Sequence, residues 1–288
     1  MKDDISIKAQ DNWENAYTHL EVTYTENPRT PSQVELLWNY KVVHDAIKNY
    51  LSDIEKPKVI EVGCGGARNA VYLALRGMDV TCSDYAEDAL RLAKANFSAH
   101  GAKGKFLSDD LLDSAIPNNS YDCVMSFGLL EHFEELEPII ESMTKLLKSG
   151  GLHIHVVIPK KFSTRVIMST ITFPFKLAVN LFGFGRRQKL KGLIKRSYRN
   201  FSHFESTFTR HQYKKAFEQS GNEVLKIEPG GLIIPFLEPP TQVGLGYPFV
   251  KLFKNQIIRI NEWVRNSRSR MMYFFSQSFI LYSRKVKP

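Results

Sequence analysis

Cysteine is scarce in this chain. Its 288 residues include three, Cys64, Cys82 and Cys123, and none forms a C-x-x-C pair. All three fall in predicted strands or strand ends. That excludes a disulfide framework and suits small buried apolar residues in a reducing compartment. No apolar stretch follows Met1-Lys2-Asp3-Asp4, so no secretory leader is expected. Acidic residues are scarce in one half only. Residues 151–288 carry 24 Lys and Arg against 6 Asp and Glu, a balance of +18. Residues 1–150 carry 15 against 24, a balance of −9. A basic half can face nucleic acid, an anionic membrane or an anionic small molecule, or it can simply be a solvated surface. Repeats and low-complexity tracts are also missing. The 43% apolar content is that of a globular chain, long enough for one large α/β domain or two small ones. The expected location is the cytoplasm, with the inner face of a membrane as a place where the protein can sit.

Two rhythms are present. Residues 1–57 have helical spacing and no strand signal, with Trp13, Tyr17, Leu20 and Tyr24, then Leu36, Leu37, Tyr40, Val43, Ile47 and Leu51. From residue 58 the pattern alternates. Strands are predicted at 58–62, 78–83, from 105, at 121–127 and at 152–158, the last entered from a Gly150-Gly151 turn. Helices are predicted from the glycine turn to Arg76, at 86–99 and at 136–147. Such alternation means parallel βαβ units in a doubly wound sheet. Residues 162–200 interrupt it. Residues 209–221 resume it as a helix and 223–227 as a strand. Residues 232–271 are expected to be a second insertion that breaks the rhythm, both insertions being helical, and 278–286 a closing strand. The expected division is an N-terminal helical cap over 1–57 and one catalytic domain over 58–288.

The strongest chemical signal is VIEVGCGGARNA, residues 59–70. A strand enters a glycine-rich turn that opens a helix, where the backbone must turn tightly and let a ligand approach. The dinucleotide fingerprint needs a glycine at 68, where the chain has Arg68, and no Gly-Lys-Ser/Thr follows. Glu61, two residues before Gly63, suits a cationic ligand better than a pyrophosphate.

With Glu61, Gly63 and Gly65, and Ala67 in the third glycine position, the segment resembles motif I of class I (Rossmann-like) S-adenosylmethionine-dependent methyltransferases of the small-molecule type. The resemblance runs over about 58–160, with a weaker echo in 201–228 and 278–286. It implies a mostly parallel seven-stranded sheet whose last strand is antiparallel, and S-adenosyl-L-methionine as cofactor. It also implies a role for each matching residue. Asp84 would hold the ribose hydroxyls and Tyr85 would pack on adenine. Asp110, preferred to Asp109 on spacing, would accept the adenine amino group, with Leu111 beside it. Phe127 and Gly128 would line the methionine portion. Taken singly, Asp84 also reads as a helix cap and Asp110 as a turn residue; their joint order favours the methyltransferase.

Methyl transfer needs an oriented acceptor and, for a hydroxyl, a base. The candidate base is His132 in Leu130-Glu131-His132. The alternative is that Glu131 and His132 only shape the pocket. His153 and His155 share one strand face and read as strand residues rather than ligands, and His203 and His211 flank the return from the first insertion. No metal site is expected. Ser126-Phe127-Gly128-Leu129 lacks the prolines of base-amine methylases, which argues against nucleic acid as a partner. The first insertion points elsewhere. Residues 162–185 are apolar and aromatic, and 186–199 hold seven basic residues in 14. That is the pattern of an interfacial helix or of a lid. A bilayer span is disfavoured by Pro174 and Lys176 at its middle, since a central lysine costs about 2.5–3.5 kcal/mol. The expected reaction is O-methylation of a small or lipid-like acceptor, with peripheral contact to an anionic membrane. The alternatives are an RNA or protein methyltransferase and a non-catalytic cofactor-binding protein.

Overall fold

The computed structural model describes residues 22–158, 206–231, 246–267 and 269–286. Seven strands form one sheet: β1 (Lys58–Val62), β2 (Asp79–Asp84), β3 (Lys105–Ser108), β4 (Tyr121–Phe127), β5 (Leu147–Val157), β6 (Asn222–Pro229) and β7 (Phe279–Lys285). Their order is β3-β2-β1-β4-β5-β7-β6. Strands β1 to β5 pair in parallel, and β7 runs antiparallel to both β5 and β6. This is the doubly wound, mostly parallel sheet expected from the sequence. The order reverses between β1 and β4, and ligands of such sheets bind in the crevice outside the carboxyl ends of the strands at that point.

Alternation along each strand builds two cores. Val59, Val80, Cys82, Met125, Ile154 and Tyr282 face one side. There they meet α1 (Pro31–Tyr50), α2 (Arg68–Ala74) and α3 (Glu87–Ala99). Ile60, Val62, Val124, Val157 and Leu281 face the other side, against α4 (Glu137–Leu146) and α5 (Arg210–Gln219). All three cysteines are buried and unbridged.

Local rules explain most element ends. Thr30 caps α1 and is followed by Pro31 at the first helical position. Thr209 and Gln212 form a reciprocal capping box on α5. Gly77, at φ +84°, lies just beyond α2.

One stretch differs from the sequence reading. Strand β5 begins at Leu147 rather than 152, and the Gly150-Gly151 pair forms a bulge inside it, with the register against β4 shifting between Tyr121 and Cys123. A Cβ on Gly151 would lie 2.9 Å from both the Leu147 side chain and the Lys148 carbonyl oxygen, so the bulge needs glycine there. Within the second expected insertion, residues 246–266 form a 21-residue helix, α6 (Gly246–Asn266), followed by α7 (Arg270–Phe275). Val250, Ile257, Asn261 and Val264 form its buried face. Residues 159–205 and 232–245, with the whole of the first expected insertion and the first part of the second, lie outside the described residues. Among the described residues, no helix is long and apolar enough to cross a membrane.

Candidate cofactor and acceptor site

The carboxyl ends of β1 to β4 bring the sequence-predicted residues to one edge. The loop after β1 has Gly63 at φ +58°, Gly65 at φ +50° and Ala67 at φ +49°. A Cβ on Gly63 would sit 2.6 Å from Cδ1 of Leu129, so this loop and the loop after β4 meet at a spot only glycine fits. Ala67 holds a left-handed conformation usual for glycine, which costs a non-glycine residue about 1–2 kcal/mol.

Glu61 lies within β1 between Cys82 and Met125 and is buried. Its Oε2 accepts the Ala70 N–H at 2.9 Å, one of the unpaired donors in the first turn of α2. Ala67 heads that helix with no side-chain cap, so Glu61 substitutes for one. Burial is the main influence on the Glu61 carboxyl and pushes it up to about 8, with Asp84 adding to the rise and the Ala70 hydrogen bond and Arg68 opposing it.

Asp84 ends β2 and is buried. Its Oδ2 accepts the Gly65 N–H at 2.8 Å and its Oδ1 the Ala86 N–H at 3.0 Å. It thus ties the glycine loop to the start of α3. Tyr85 follows, half-buried. The Asp109 N–H donates to the Asp84 carbonyl at 3.2 Å, which joins the end of β3 to the same edge. Asp110 is exposed and caps the turn Leu111–Asp113 by accepting the Leu112 N–H at 3.0 Å, and Leu111 is half-buried. Asp109, set aside on spacing, accepts the Ala115 N–H at 2.9 Å through Oδ1, while its buried Oδ2 has no hydrogen-bond partner.

Phe127 ends β4 half-buried, its ring centroid 6.4 Å from that of Tyr40 on α1. His132 closes the turn Leu130–His132 and is half-buried, its N–H donating to the Leu129 carbonyl. Glu131 beside it is buried, and its carbonyl accepts the Ser206 N–H at 2.6 Å. The described chain therefore leaves β5 at residue 158 and returns against the His132 turn.

Sequence reasoning missed two residues at this edge. Tyr40 is buried between Phe127, Tyr72 and Tyr24, and burial raises its phenol to about 12, within the electrostatic reach of Arg68 and Glu61. Asn96 donates to the Gly66 carbonyl at 2.7 Å and accepts the N–H groups of Thr23 and Tyr24, so it latches the segment before α1 onto the glycine loop. Periodicity placed Tyr40 on a helix, but no local signal gave the partners of either residue.

His153 and His155 lie fully buried on the α4–α5 face. Their hydrogen bonds run in one direction. Thr144 Oγ1 donates to the Ile140 carbonyl and accepts from Asn222 Nδ2, so His153 Nε2 is its donor, at 3.2 Å. His155 Nε2 then donates to His153 Nδ1 at 3.0 Å, and Ser126 Oγ to His155 Nδ1 at 2.8 Å. Every position is filled with both rings neutral. Burial holds both well below the usual histidine range, His155 at about 3. Among the described residues, no group of three or more His, Cys, Asp or Glu could hold a metal ion.

Comparison with known proteins fits this geometry. Residues 59–151 match a family model described as a methyltransferase domain. Residues 59–151 carry a methyltransferase domain, and the fold is that of class I S-adenosylmethionine-dependent methyltransferases. The putative sarcosine dimethylglycine methyltransferase of Galdieria sulphuraria shares its fold at 12% identity and a TM-score of 0.55, over 96% of this chain and 98% of that one. So does the magnesium protoporphyrin IX methyltransferase of Synechocystis PCC 6803, solved with bound SAH, at 16% identity and a TM-score of 0.51, over 96% and 94%. A ubiquinone biosynthesis O-methyltransferase of Rickettsia canadensis is 29% identical over 110 residues, 38% of this chain and 46% of that protein. The chain spans about half the length of the curated relatives it matches or less.

The chemistry of this edge fits such a cofactor. Gly63 and Gly65 take left-handed backbone conformations in the turn after β1, and Glu61 is a buried carboxyl whose ionised form a cationic ligand would stabilise.

Proposed function

We propose that the protein transfers the methyl group of S-adenosyl-L-methionine to an oxygen atom of a small or lipid-like acceptor. The observation that carries the reading is the junction of Glu61, the 63–67 loop and Asp84 at the carboxyl ends of neighbouring strands. The bound cofactor supplies an electrophilic methyl carbon on a sulfonium. The chain's residues hold and orient it. Gly63 and Gly65 let the backbone approach, and Glu61 meets the cationic methionine end. The Asp84 carboxylate, whose oxygens can each accept more than one hydrogen bond, would accept the ribose hydroxyls. Tyr85 packs on the adenine, Asp110 accepts its amino group with Leu111 alongside, and Phe127 lines the methionine portion.

His132 is the proposed general base. Its half-buried turn abuts the glycine loop through Leu129 and the returning chain through Ser206. A ubiquinone biosynthesis O-methyltransferase among the relatives supports oxygen as the acceptor atom and a lipid-like acceptor. The sequence of residues 162–200, apolar and then basic, supports a lid or a contact with an anionic membrane that brings in such an acceptor. We further propose 1–57 as a cap on a domain over 58–288, supported by the packing of α1 against the site. The +18 balance of residues 151–288 favours a second reading, an RNA or protein acceptor.

Incubation with methyl-labelled S-adenosylmethionine and a cell extract, followed by partition of the products, separates the readings. Label in the organic fraction is the expected result. Label confined to RNA or protein would overturn the acceptor, and no label anywhere would leave a cofactor-binding protein without turnover.

A further inference from the structure

Two buried hydroxyls meet behind the His132 turn. Tyr213 stands near the start of α5 and Ser206 in the chain that returns to the sheet, and both are buried. Their hydroxyl oxygens lie 2.8 Å apart. The reciprocal cap at Thr209 fixes the start of α5, and the Tyr213 N–H donates to the Thr209 carbonyl at 3.1 Å. The Tyr213 ring packs edge-on against Phe208 and Phe279, so its hydroxyl is held on a rigid element. Burial keeps that phenol well above its usual range, with the Glu131 charge adding to the rise and the Ser206 hydrogen bond opposing it. The group is therefore a neutral hydroxyl.

Ser206 carries this fixed point to the candidate base. Its N–H donates to the carbonyl of Glu131, the residue before His132, at 2.6 Å. The His132 N–H donates in turn to the Leu129 carbonyl at 3.1 Å, and the Leu129 side chain lies against Gly63 of the glycine loop. The turn that bears His132 is therefore held between the cofactor loop and α5. Stability alone does not call for the hydroxyl pair. Tyr213 lies within the apolar cluster on the α4–α5 face. Exchanging both partners of such a bond for apolar groups is close to neutral, whereas exchanging one strands the other. A satisfied polar pair in an apolar setting adds rigidity at a defined place.

We propose that Tyr213, acting through Ser206, is a positioning residue for methyl transfer: it sets where the His132 turn stands relative to the glycine loop. The inference rests on His132 as the base proposed above, and it holds whatever the methyl acceptor proves to be. It places the control of that base in α5, outside the loops of the cofactor edge.

The test follows the full chain by three measurements. They are the rate of label transfer from methyl-labelled S-adenosylmethionine to whichever fraction of a cell extract takes it up, the affinity for S-adenosylhomocysteine by calorimetry, and the urea unfolding midpoint. Tyr213→Phe and Ser206→Ala each leave one hydroxyl without its partner and should lower the midpoint. The double variant S206A/Y213F should return to a midpoint near that of the wild type and still transfer methyl about tenfold more slowly, roughly the worth of one hydrogen bond, with unchanged affinity for S-adenosylhomocysteine. Added to His132→Ala, the double change should cost no further rate, since both act on one group. A double variant with the wild-type rate would overturn the proposal. So would a loss of rate that persists in full on His132→Ala. A double variant no more stable than the single ones, and slowed in step with its unfolding, would assign the pair to the fold and overturn the proposal as well. Wild-type transfer by His132→Ala would remove the base and this assignment with it, whereas no label with the wild-type chain would remove methyl transfer itself.

Discussion

The two ends of the sheet are built differently. At β1 to β4, short loops leave each strand and the candidate ligand groups are backbone atoms or carboxylates tied to backbone, as Asp84 is tied to Gly65 and Ala86. Beyond β5, long segments separate the strands, the chain turns basic, and side chains such as Leu252 and Trp263 of α6 are exposed. The first end meets a ligand of fixed shape, and its geometry is set by φ angles and strand ends. The second end is the part we propose to serve the acceptor, and physics leaves it more freedom. The same contrast appears in titration. Glu61, at the ligand edge, is raised by burial and poised to ionise beside a cation, whereas His153 and His155, within the core, are held neutral by burial.

Asp84→Ala should have the largest effect. It removes two charge-assisted hydrogen bonds to backbone and the proposed ribose contact. Cofactor affinity by calorimetry should fall by about 100-fold or more, since such bonds are worth about 1.5–3 kcal/mol each. Unchanged affinity would remove Asp84 from the site. Gly63→Ala comes next. The left-handed φ and the Leu129 contact should lower stability by about 1–2 kcal/mol in urea unfolding and weaken cofactor binding as well. A neutral result would mean that the loop relaxes freely.

The buried histidines act on stability alone, with an effect that grows as pH falls. Their folded forms resist protonation while the unfolded chain takes up protons from about pH 6.5 downward, so stability should fall as pH drops from about 6.5 toward 3. The slope approaches about 1.4 kcal/mol per pH unit for each ring. His155→Gln should flatten the profile. A wild-type unfolding midpoint flat from pH 7 to 5 would show that the rings accept protons in place. The smallest effect separates neighbours. Asp110→Asn should weaken binding about tenfold or less, roughly the worth of one hydrogen bond. If Asp109→Asn does so instead, the adenine contact belongs to Asp109, whose buried Oδ2 has no hydrogen-bond partner.

This contrast also explains what could be read from the sequence. The alternation from 58 to 158 was legible because parallel βαβ units force it, and the loop glycines because three residues there take positive φ. Asp84 was legible as a strand-end carboxylate, though not its bond to Gly65, which joins residues 19 apart in sequence. The β5 bulge was not legible, since Gly150-Gly151 looks the same in a turn and in a bulge. Helix α6 lies in an insertion expected to be helical, but its bounds were not legible, since it interrupts the strand–helix alternation between β6 and β7. Tyr40 and Asn96 reach the site only through tertiary contacts.

The most direct test of the central claim is calorimetric titration of the full chain with S-adenosyl-L-methionine at pH 7, in two buffers of different ionisation heat. With the Glu61 carboxyl raised to about 8, the free site holds a proton that a cationic ligand would expel. The expected result is one site, release of close to one proton on binding, and loss of that release in Glu61→Gln. Absence of binding would contradict the cofactor site itself; binding without proton release would place the cation away from Glu61.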